Sequence, residues 1–449
     1  MNDASRLSPT PVFTHWVAKP EPEDQFIANL RRELKAAASR SRPVVVGAAR
    51  HSMGGQSLPR NGTAITFDIN RCEPDRASRT FRVHAGTRWY QVIDALDRIG
   101  QSPAVMQSNS DFGVAATFSV NAHGWPVRYG PFGSTVRALR IMLADGTILP
   151  CSRTENAELF SLAMGGYGLL GIVVDLEVDM VPNMLLRPRF ERMDATAFAA
   201  RFVGAVRSDP SVKMMYGRMN VTRADVFTEA LLVTYRVEPV PAEGLPPVTR
   251  RGALTDVSRN VYRAQIGSET LKRARWMAES MAVPKAGSGI ATRNSLIDEP
   301  VSNLENRHVQ RTDILHEYFL PPERFGEFLR ACQDIIPKAR AEFLNVTLRY
   351  VARDDLSVLS FATTDRIAAV MSFSQDMTPE GEADMLQTTE ALIERVAAIG
   401  GSYYLPYRLH ARSDQFERIY PSAAHFAARK RHYDPGLLFR NALWDNYLA

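Results

Sequence analysis

Cysteine is scarce in this 449-residue chain: only Cys72, Cys151 and Cys332 occur. They are odd in number, far apart and in no C-x-x-C spacing, so neither a disulfide framework nor a zinc site is expected. Their expected role is that of small buried hydrophobes. No run of about 18 apolar residues exists, and no membrane span is expected. The opening stretch MNDASRLSPTPVF lacks a basic segment followed by an apolar one. With no secretory signal in view, the expected location is the cytoplasm. No sign of charge dominates either, since 54 Lys and Arg face 49 Asp and Glu, a formal net of +5. That excess is spread along the chain, without the clustered basic face that nucleic acid requires. It is compatible with an anionic cofactor or substrate. GxxxxGK[ST], HExxH and GxSxG are absent, as are internal repeats and low-complexity tracts.

What is present is ordinary globular composition, 45% hydrophobic and 23% charged, in a length sufficient for two or three domains. VFTHWVAKP has strand character. A helix is expected over EPEDQFIANLRRELKAAASRS, where Phe26, Ile27, Leu30 and Leu34 share one face. Strands are expected at Val44–Val46, Ala64–Ile69 and Thr80–Ala85, then a helix at Tyr90–Ile99. Residues 107–133 read as loop. Strands follow at Ala138–Leu143 and Thr147–Pro150 around the turn Ala144-Asp145-Gly146, then a helix at Glu155–Met164 and a strand at Ile172–Val178. Pro182 marks a boundary. Beyond it, Arg187–Phe202 and Met214–Val221 suggest strand–helix–strand. Residues 237–300 read as a long excursion covering a site, with a helical patch near Glu269–Met281. Further strands are expected at His316–Phe319, Asn345–Val351, Ser357–Ala362 and Ala368–Ser372, with helices at Pro322–Asp334 and Glu380–Ala398. Residues 420–448 read as helical, with a turn at Asp434-Pro435-Gly436. The fold class is α+β, the second part built on an antiparallel sheet.

Gly166-Tyr167-Gly168-Leu169-Leu170-Gly171 satisfies G-x-G-x-x-G. A dinucleotide fingerprint of that form follows a strand and opens a helix. Here a helix precedes and a strand follows, so the glycines are expected to reverse the chain.

Two other loops suit a diphosphate. Gly47-Ala48-Ala49-Arg50-His51-Ser52-Met53-Gly54-Gly55 follows a buried strand, and its small residues leave consecutive N–H groups free to form an anion-binding nest. The second loop is Gly113–Gly124. On spacing alone, two small-residue turns in a packed domain explain these stretches equally well. His51 sits between Arg50 and Ser52. Its imidazole could bond to an electrophilic cofactor carbon or be a hydrogen-bonded core group.

At these residues the chain resembles the vanillyl-alcohol oxidase/p-cresol methylhydroxylase family of FAD enzymes, in its sugar, polyol and aldonolactone oxidase branch. The resemblance is carried in order by VVVGAARHSMGGQ (44–56), ITFDINR (65–71), VHAGTRWYQVIDAL (83–96), FGVAATFSVNAHG (112–124), LADGTILPCSRTENAELFSLAMGGYGLLGIV (143–173) and YDPGLLFRN (433–441). Residues 185–395 match only in general character. The resemblance implies a two-part FAD-binding domain, 1–182 and 412–449, with an inserted α+β substrate (cap) domain at 183–411. It implies FAD contacts from Gly47, Ala48, Ala49, Arg50, His51 and Ser52, from Gln107 and Ser108, and from Gly113, Val114, Ala115, Ala116, Thr117, Ser119, Asn121, Ala122, His123 and Gly124. Gly168, Gly171, Ile172 and Val173 would approach the adenine end, and Asn441 belongs to the same set. His51 falls where the family bonds histidine to the flavin 8α-methyl, with Arg50 in place of the usual small residue. The family's second attachment cysteine has no counterpart in Gln107-Ser108-Asn109-Ser110-Asp111, so a doubly bonded flavin is not expected.

The reaction so implied is hydride transfer from carbon to flavin N5, with a base for the hydroxyl proton and oxygen or another acceptor to reoxidise the flavin. Residues 400–410 are similar to a segment of related sugar oxidases that carries an active-site tyrosine and lysine. Tyr404 matches the tyrosine; Tyr407 stands at the lysine's place, with Arg408 adjacent. Arg349 and Arg408 are candidates to stabilise an anionic reduced ring, and His316 is a further candidate. The expected partner is a hydroxyl-bearing small molecule, with no metal. Two other readings stand beside it: a biosynthetic oxidase forming a double bond or ring on a hydrophobic scaffold, and a flavin-fold binding subunit without turnover.

Overall fold

Short apolar runs between polar turns build the first part of the chain, as a computed structural model shows for residues 1–240, 244–248, 255–282, 289–301, 306 and 308–449. Strands β1 (Thr14–Ala18), β2 (Val44–Gly47) and β3 (Thr63–Phe67) form a parallel sheet in the order β1-β3-β2. The helix Glu23–Ala38 joins β1 to β2 and buries Phe26, Ile27, Leu30, Leu34 and Ala37, the expected stripe at three- and four-residue spacing.

An antiparallel sheet follows from β4 (Cys72–Asp75), β5 (Thr80–His84), β6 (Gln101–Pro103), β7 (Val136–Met142), β8 (Ile148–Ser152) and β9 (Ile172–Pro182). Its order is β4-β5-β9-β7-β8, with β6 also on β9. The glycine run lies between the helix Ala157–Ala163 and β9. Gly165 (φ +66°), Tyr167 (φ +53°) and Gly168 (φ +73°) reverse the chain there.

The third sheet has eight strands: β10 (Leu185–Asp194), β11 (Val212–Met219), β12 (Glu229–Glu238), β13 (Ala291–Thr292), β14 (Arg311–Leu320), β15 (Glu342–Val351), β16 (Arg366–Asp376) and β17 (Ser402–Tyr403). Every pairing is antiparallel, in the order β13-β10-β12-β11-β15-β16-β14-β17. The helices Ala195–Ser208, Phe325–Ile335 and Pro379–Ala398 pack on this sheet. Phe198 fills the space where a Cβ on Gly217 would stand.

The chain end returns to the first part. Val44 N–H donates to Leu438 O (2.7 Å) and Asn441 Nδ2 to Tyr167 O (3.0 Å). The α+β class stands. No helix among the described residues is long and apolar enough to cross a membrane.

Three expectations are corrected. Ser357–Ala362 is a turn rather than a strand, because Asp354 Oδ1 accepts the N–H groups of Leu356 (3.0 Å) and Ser357 (3.2 Å). The stretch 107–133, read as loop, contains the short helix Val114–Ser119. Strand β12 was not expected. Of the 237–300 excursion, Thr255–Ala264 and Glu269–Met277 are helical, while 241–243, 249–254 and 283–288 lie outside the described residues.

Candidate active site

Strand β2 ends at Gly47, and the loop beyond it is shaped by Arg50, which has a left-handed backbone (φ +54°). The Arg50 guanidinium folds back and donates to Ser57 O, Ile65 O (2.8 Å) and Thr66 Oγ1 (3.1 Å). A Cβ on Gly47 would stand 2.7 Å from Arg50 Nη1, so glycine is what admits this path. Burial lowers the guanidinium to about 10. The Ser52 hydroxyl is buried and has no partner. Among the described residues nothing accepts the N–H groups of Ala49, Arg50, His51 or Ser52. The loop's far side is fastened instead: Met53 N–H donates to Pro406 O (2.8 Å), and Gln56 Nε2 to Leu405 O (2.7 Å) and Tyr407 O (2.8 Å). His51 lies beside Phe112, ring centroids 4.5 Å apart. Burial lowers its imidazole below the ordinary range; Asp111 opposes this and Arg88 adds to it.

The second loop meets the first. A Cβ on Gly113 would stand 2.6 Å from the Ala48 Cβ. The first N–H groups of the helix after Gly113, those of Ala115 and Ala116, have no carbonyl one turn earlier. Other expected contacts are braces. Thr117 Oγ1 accepts from Trp89 Nε1 (2.8 Å) and lies 2.7 Å from Gln107 Oε1. Asn121 donates to Asp354 Oδ2 (3.0 Å) and accepts from Gly133 N–H (2.9 Å). Ser119 and Ala122 present their carbonyls to Tyr167 N–H (2.8 Å) and Phe132 N–H (2.7 Å). Gly124 leaves room for Met106 O, as Gly171 does for Met142 O. Ile172 and Val173 pair with Met142 and Ile141 inside the antiparallel sheet, whereas Gly168 is exposed. Asn441 Oδ1 accepts the N–H groups of Leu443 (3.1 Å) and Trp444 (3.3 Å) in its own segment, while Nδ2 ties that segment to Tyr167, so both ends of its amide are engaged.

Beside these loops stands one face of the eight-stranded sheet. Its register sets Arg218, Thr347, Val370 and Glu317 in a single row across β11, β15, β16 and β14. Arg349, Ala368 and Phe319 form the next row on the same face. Glu317 is 3% exposed. Its Oε1 is hydrogen-bonded to His123 Nε2, and its Oε2 accepts from the Tyr407 hydroxyl (3.1 Å). Arg349 Nη2 donates to Ser108 Oγ (2.7 Å) and Nη1 to His123 O (3.3 Å). Tyr404 O–H donates to Val120 O (2.7 Å), its ring 5.7 Å from that of Tyr407.

Burial by itself pushes the Glu317 carboxyl up. His123, Arg349 and the Tyr407 hydroxyl outweigh it and hold the group below the ordinary carboxylate range. Burial lowers the His123 imidazole despite Glu317. The pair is therefore carboxylate and neutral imidazole, with Nε2–H donating and Nδ1 left without a partner. Burial, then Glu317, keeps the Tyr407 phenol well above its usual range and so protonated.

Arg218, Arg349, Val370, Ser372 and Tyr407 keep partial exposure on this face. Trp125 and Tyr216 (centroids 4.8 Å apart), with Tyr235 stacked on Trp125 (6.5 Å), supply an aromatic wall. Arg218 Nε sits 3.1 Å from Glu279 Oε1, beyond the helix Glu269–Met277. Tyr262 O–H donates to Ser372 Oγ (3.0 Å). The described part of the excursion thus lies against the site face.

Two expected residues are elsewhere. His316 precedes Glu317 and points to the opposite face, toward Phe373 (4.8 Å between centroids), Tyr318 O–H (3.1 Å) and Thr389 (3.2 Å). Arg408 turns away from Tyr407 to pair with Glu382 and donate to Ser8 Oγ (3.0 Å). Neither belongs to the site. Glu317 is the residue the sequence reading missed; strict alternation through His316-Glu317-Tyr318-Phe319 was the available signal.

Residues 17–152 match the family described as FAD binding domain. The chain is similar to L-gulonolactone oxidase of Mus musculus, 26% identical over 161 residues, 36% of this chain and 37% of that protein. It is similar to D-arabinono-1,4-lactone oxidase of Yarrowia lipolytica, 37% identical over 100 residues, 22% of this chain and 19% of that one. It is also similar to cytokinin dehydrogenase 4 of Oryza sativa subsp. japonica, 28% identical over 179 residues, 37% of this chain and 33% of that protein. The matched stretches span between about a fifth and two fifths of these relatives. FAD is the cofactor this domain takes. The loops suit it: unpaired N–H groups, the orphaned Ser52 hydroxyl and the Ala48–Gly113 contact are what a diphosphate between two loops requires.

Proposed function

Because residues 17–152 form an FAD-binding domain, we propose that the chain is an FAD-dependent oxidoreductase acting on a hydroxyl-bearing small molecule, a sugar, polyol or aldonolactone. The carrying observation is the buried Glu317, joined to His123 and Tyr407 and flanked by Arg349, on the sheet face beside the loops that would hold FAD. The two relatives named as lactone oxidases support the substrate class. In this reading residues 1–182 and 412–449 hold FAD and 183–411 form the cap. That division agrees with β9 ending at Pro182 and the eight-stranded sheet beginning at Leu185.

Bound flavin would supply a hydride acceptor for a substrate carbon. The protein's task is to position that carbon, exclude water and take the hydroxyl proton. Tyr407 Oη takes this proton while its own moves to Glu317 Oε2. His123 orients the carboxylate through Oε1, and Arg349 keeps positive charge beside the reacting group. Tyr404, fixed to Val120 O, packs its ring against that of Tyr407.

The FAD loops are Gly47–Ser52 and Gly113–Ala116. Within them we propose His51 as the covalent attachment point. A neutral imidazole retains the lone pair that such a bond needs, and burial keeps His51 neutral. Denaturing the purified protein in acid tests it: yellow colour should remain with wild-type chain and leave His51→Ala. Colour released from the wild type refutes the bond.

The aromatic wall of Trp125, Tyr216 and Tyr235 favours a second reading, a biosynthetic oxidase forming a double bond or ring on a hydrophobic scaffold. Turnover against aldonolactones, polyols and apolar alcohols separates the two.

A further inference from the structure

Most arginines whose contacts are described above pair with a carboxylate or with backbone carbonyls. A different situation holds at the opposite end of the parallel sheet from the FAD loops. Arg40, Arg42, Arg60 and Arg440 border a cavity of about 490 Å³ whose lining includes a single carboxylate, Asp445. The segments that carry them are held together by the backbone. Thr63 N–H donates to Pro43 O (2.8 Å), and Val44 N–H to Leu438 O (2.7 Å). Residues 40–43, 60–61 and 440 therefore come to one place from three separated parts of the chain.

None of the four guanidinium groups has a carboxylate partner among the described residues. Arg42 lies over the exposed Phe13 ring, 3.1 Å from its centroid, and Arg40 Nη1 reaches only Ala36 O (3.4 Å). The Arg440 Nε is buried with no acceptor. Four cations facing one anion across a concavity repel one another, and a multiply charged anion relieves that repulsion. The volume falls within the range of about 300–1,000 Å³ usual for small-molecule sites.

We propose that this cavity is an anion site, distinct from the FAD loops, for a small molecule bearing a phosphate or diphosphate group. Gly47, where the FAD loop begins, is at the far end of β2 from Pro43. At about 3.3 Å per residue the strand sets the two regions roughly 13 Å apart. The proposal does not depend on what the enzyme oxidises.

The test uses FAD-saturated protein, so that the flavin loops are filled. Pyrophosphate is titrated calorimetrically at constant ionic strength, with chloride as the control. Saturable binding is expected, weakened at least tenfold in Arg60→Gln/Arg440→Gln. Because Arg440 adjoins the chain-end anchor, the exposed Arg40→Gln/Arg60→Gln pair is measured as well and should also weaken binding. Far-ultraviolet circular dichroism checks that each variant folds. Binding no tighter than that of chloride, or unchanged in both variants, overturns the proposal. A second arm uses sedimentation with phosphatidylserine vesicles. Arginine-dependent binding to vesicles without binding to pyrophosphate would overturn it too, since the ligand would then be a membrane surface.

Discussion

The Tyr407 hydroxyl donates a 3.1 Å hydrogen bond to Oε2 of Glu317, whose other oxygen is held by His123. Tyr407 comes from the segment after β17 and Glu317 from β14, neighbouring strands at the sheet edge. His123 comes from the loop that also carries Gly113. The relationship thus joins the eight-stranded sheet to the loops proposed to hold FAD through one carboxylate.

Replacing that carboxylate should stop chemistry rather than cofactor binding. Glu317→Gln keeps the shape and removes the proton acceptor. We expect kcat to fall by about 10²-fold or more, the usual size of a general-base contribution, with FAD content unchanged. Tyr407→Phe should show a loss of similar order. Steady-state kinetics with flavin quantified per chain check both.

His316 carries a different prediction, because it serves the fold. Burial lowers its pKa from 6.5 to about 3. Between those values the unfolded chain binds a proton that the folded chain does not, so stability falls as pH drops from about 6.5 toward 3. One such group contributes about 1.4 kcal/mol per pH unit. The Tm of His316→Asn should therefore decline less steeply than wild type between pH 6 and pH 4. Parallel Tm curves would count against a buried neutral imidazole.

How much of this was legible beforehand differs by element. The helix Glu23–Ala38 was readable because Phe26, Ile27, Leu30 and Leu34 mark one face whatever surrounds them. The loops proposed to hold FAD stood out by their small residues and order. The helix Val114–Ser119 was hidden, because Val-Ala-Ala-Thr-Phe-Ser is too short for a period to show. On β14 the candidate the sequence offers is His316, beside the base candidates Tyr404 and Tyr407. Neighbouring residues of a strand face opposite ways, so Glu317 rather than His316 stands on the face that Tyr407 reaches. Arg408 lay beyond sequence reasoning, since its partners Glu382 and Ser8 are distant in the chain.

The meeting of the two FAD loops should be sensitive to bulk. A valine at Gly113 would bring its Cβ to 2.6 Å from the Ala48 Cβ, well inside the carbon–carbon contact distance of about 3.5–4.0 Å. In the His51→Ala background, where no covalent bond can retain the cofactor, Gly113→Val should weaken FAD binding at least about tenfold, roughly 1.4 kcal/mol. Flavin content after gel filtration measures it. Full retention of FAD would show that the loops do not grip the cofactor together.

The chain end rests on a buried pair. Lys430 and Asp434 are hydrogen-bonded with side chains 0% and 1% exposed, and Asp434 also accepts from Leu438 N–H (2.9 Å) and Phe439 N–H (2.8 Å). Lys430→Met leaves that carboxylate buried without its cation. A loss of about 3–5 kcal/mol in urea unfolding is expected. Lys430→Arg should be milder if the charge, rather than the shape, is what matters.

One measurement bears on flavin and carboxylate together: the purified protein is mixed with aldonolactones, polyols and sugars in the absence of oxygen and its visible absorbance followed. A yellow protein is expected whose flavin band bleaches with at least one of these substrates, and does so far more slowly in Glu317→Gln. A fully flavin-loaded protein that no member of the panel bleaches, or bleaching equally fast without the Glu317 carboxylate, would contradict this expectation.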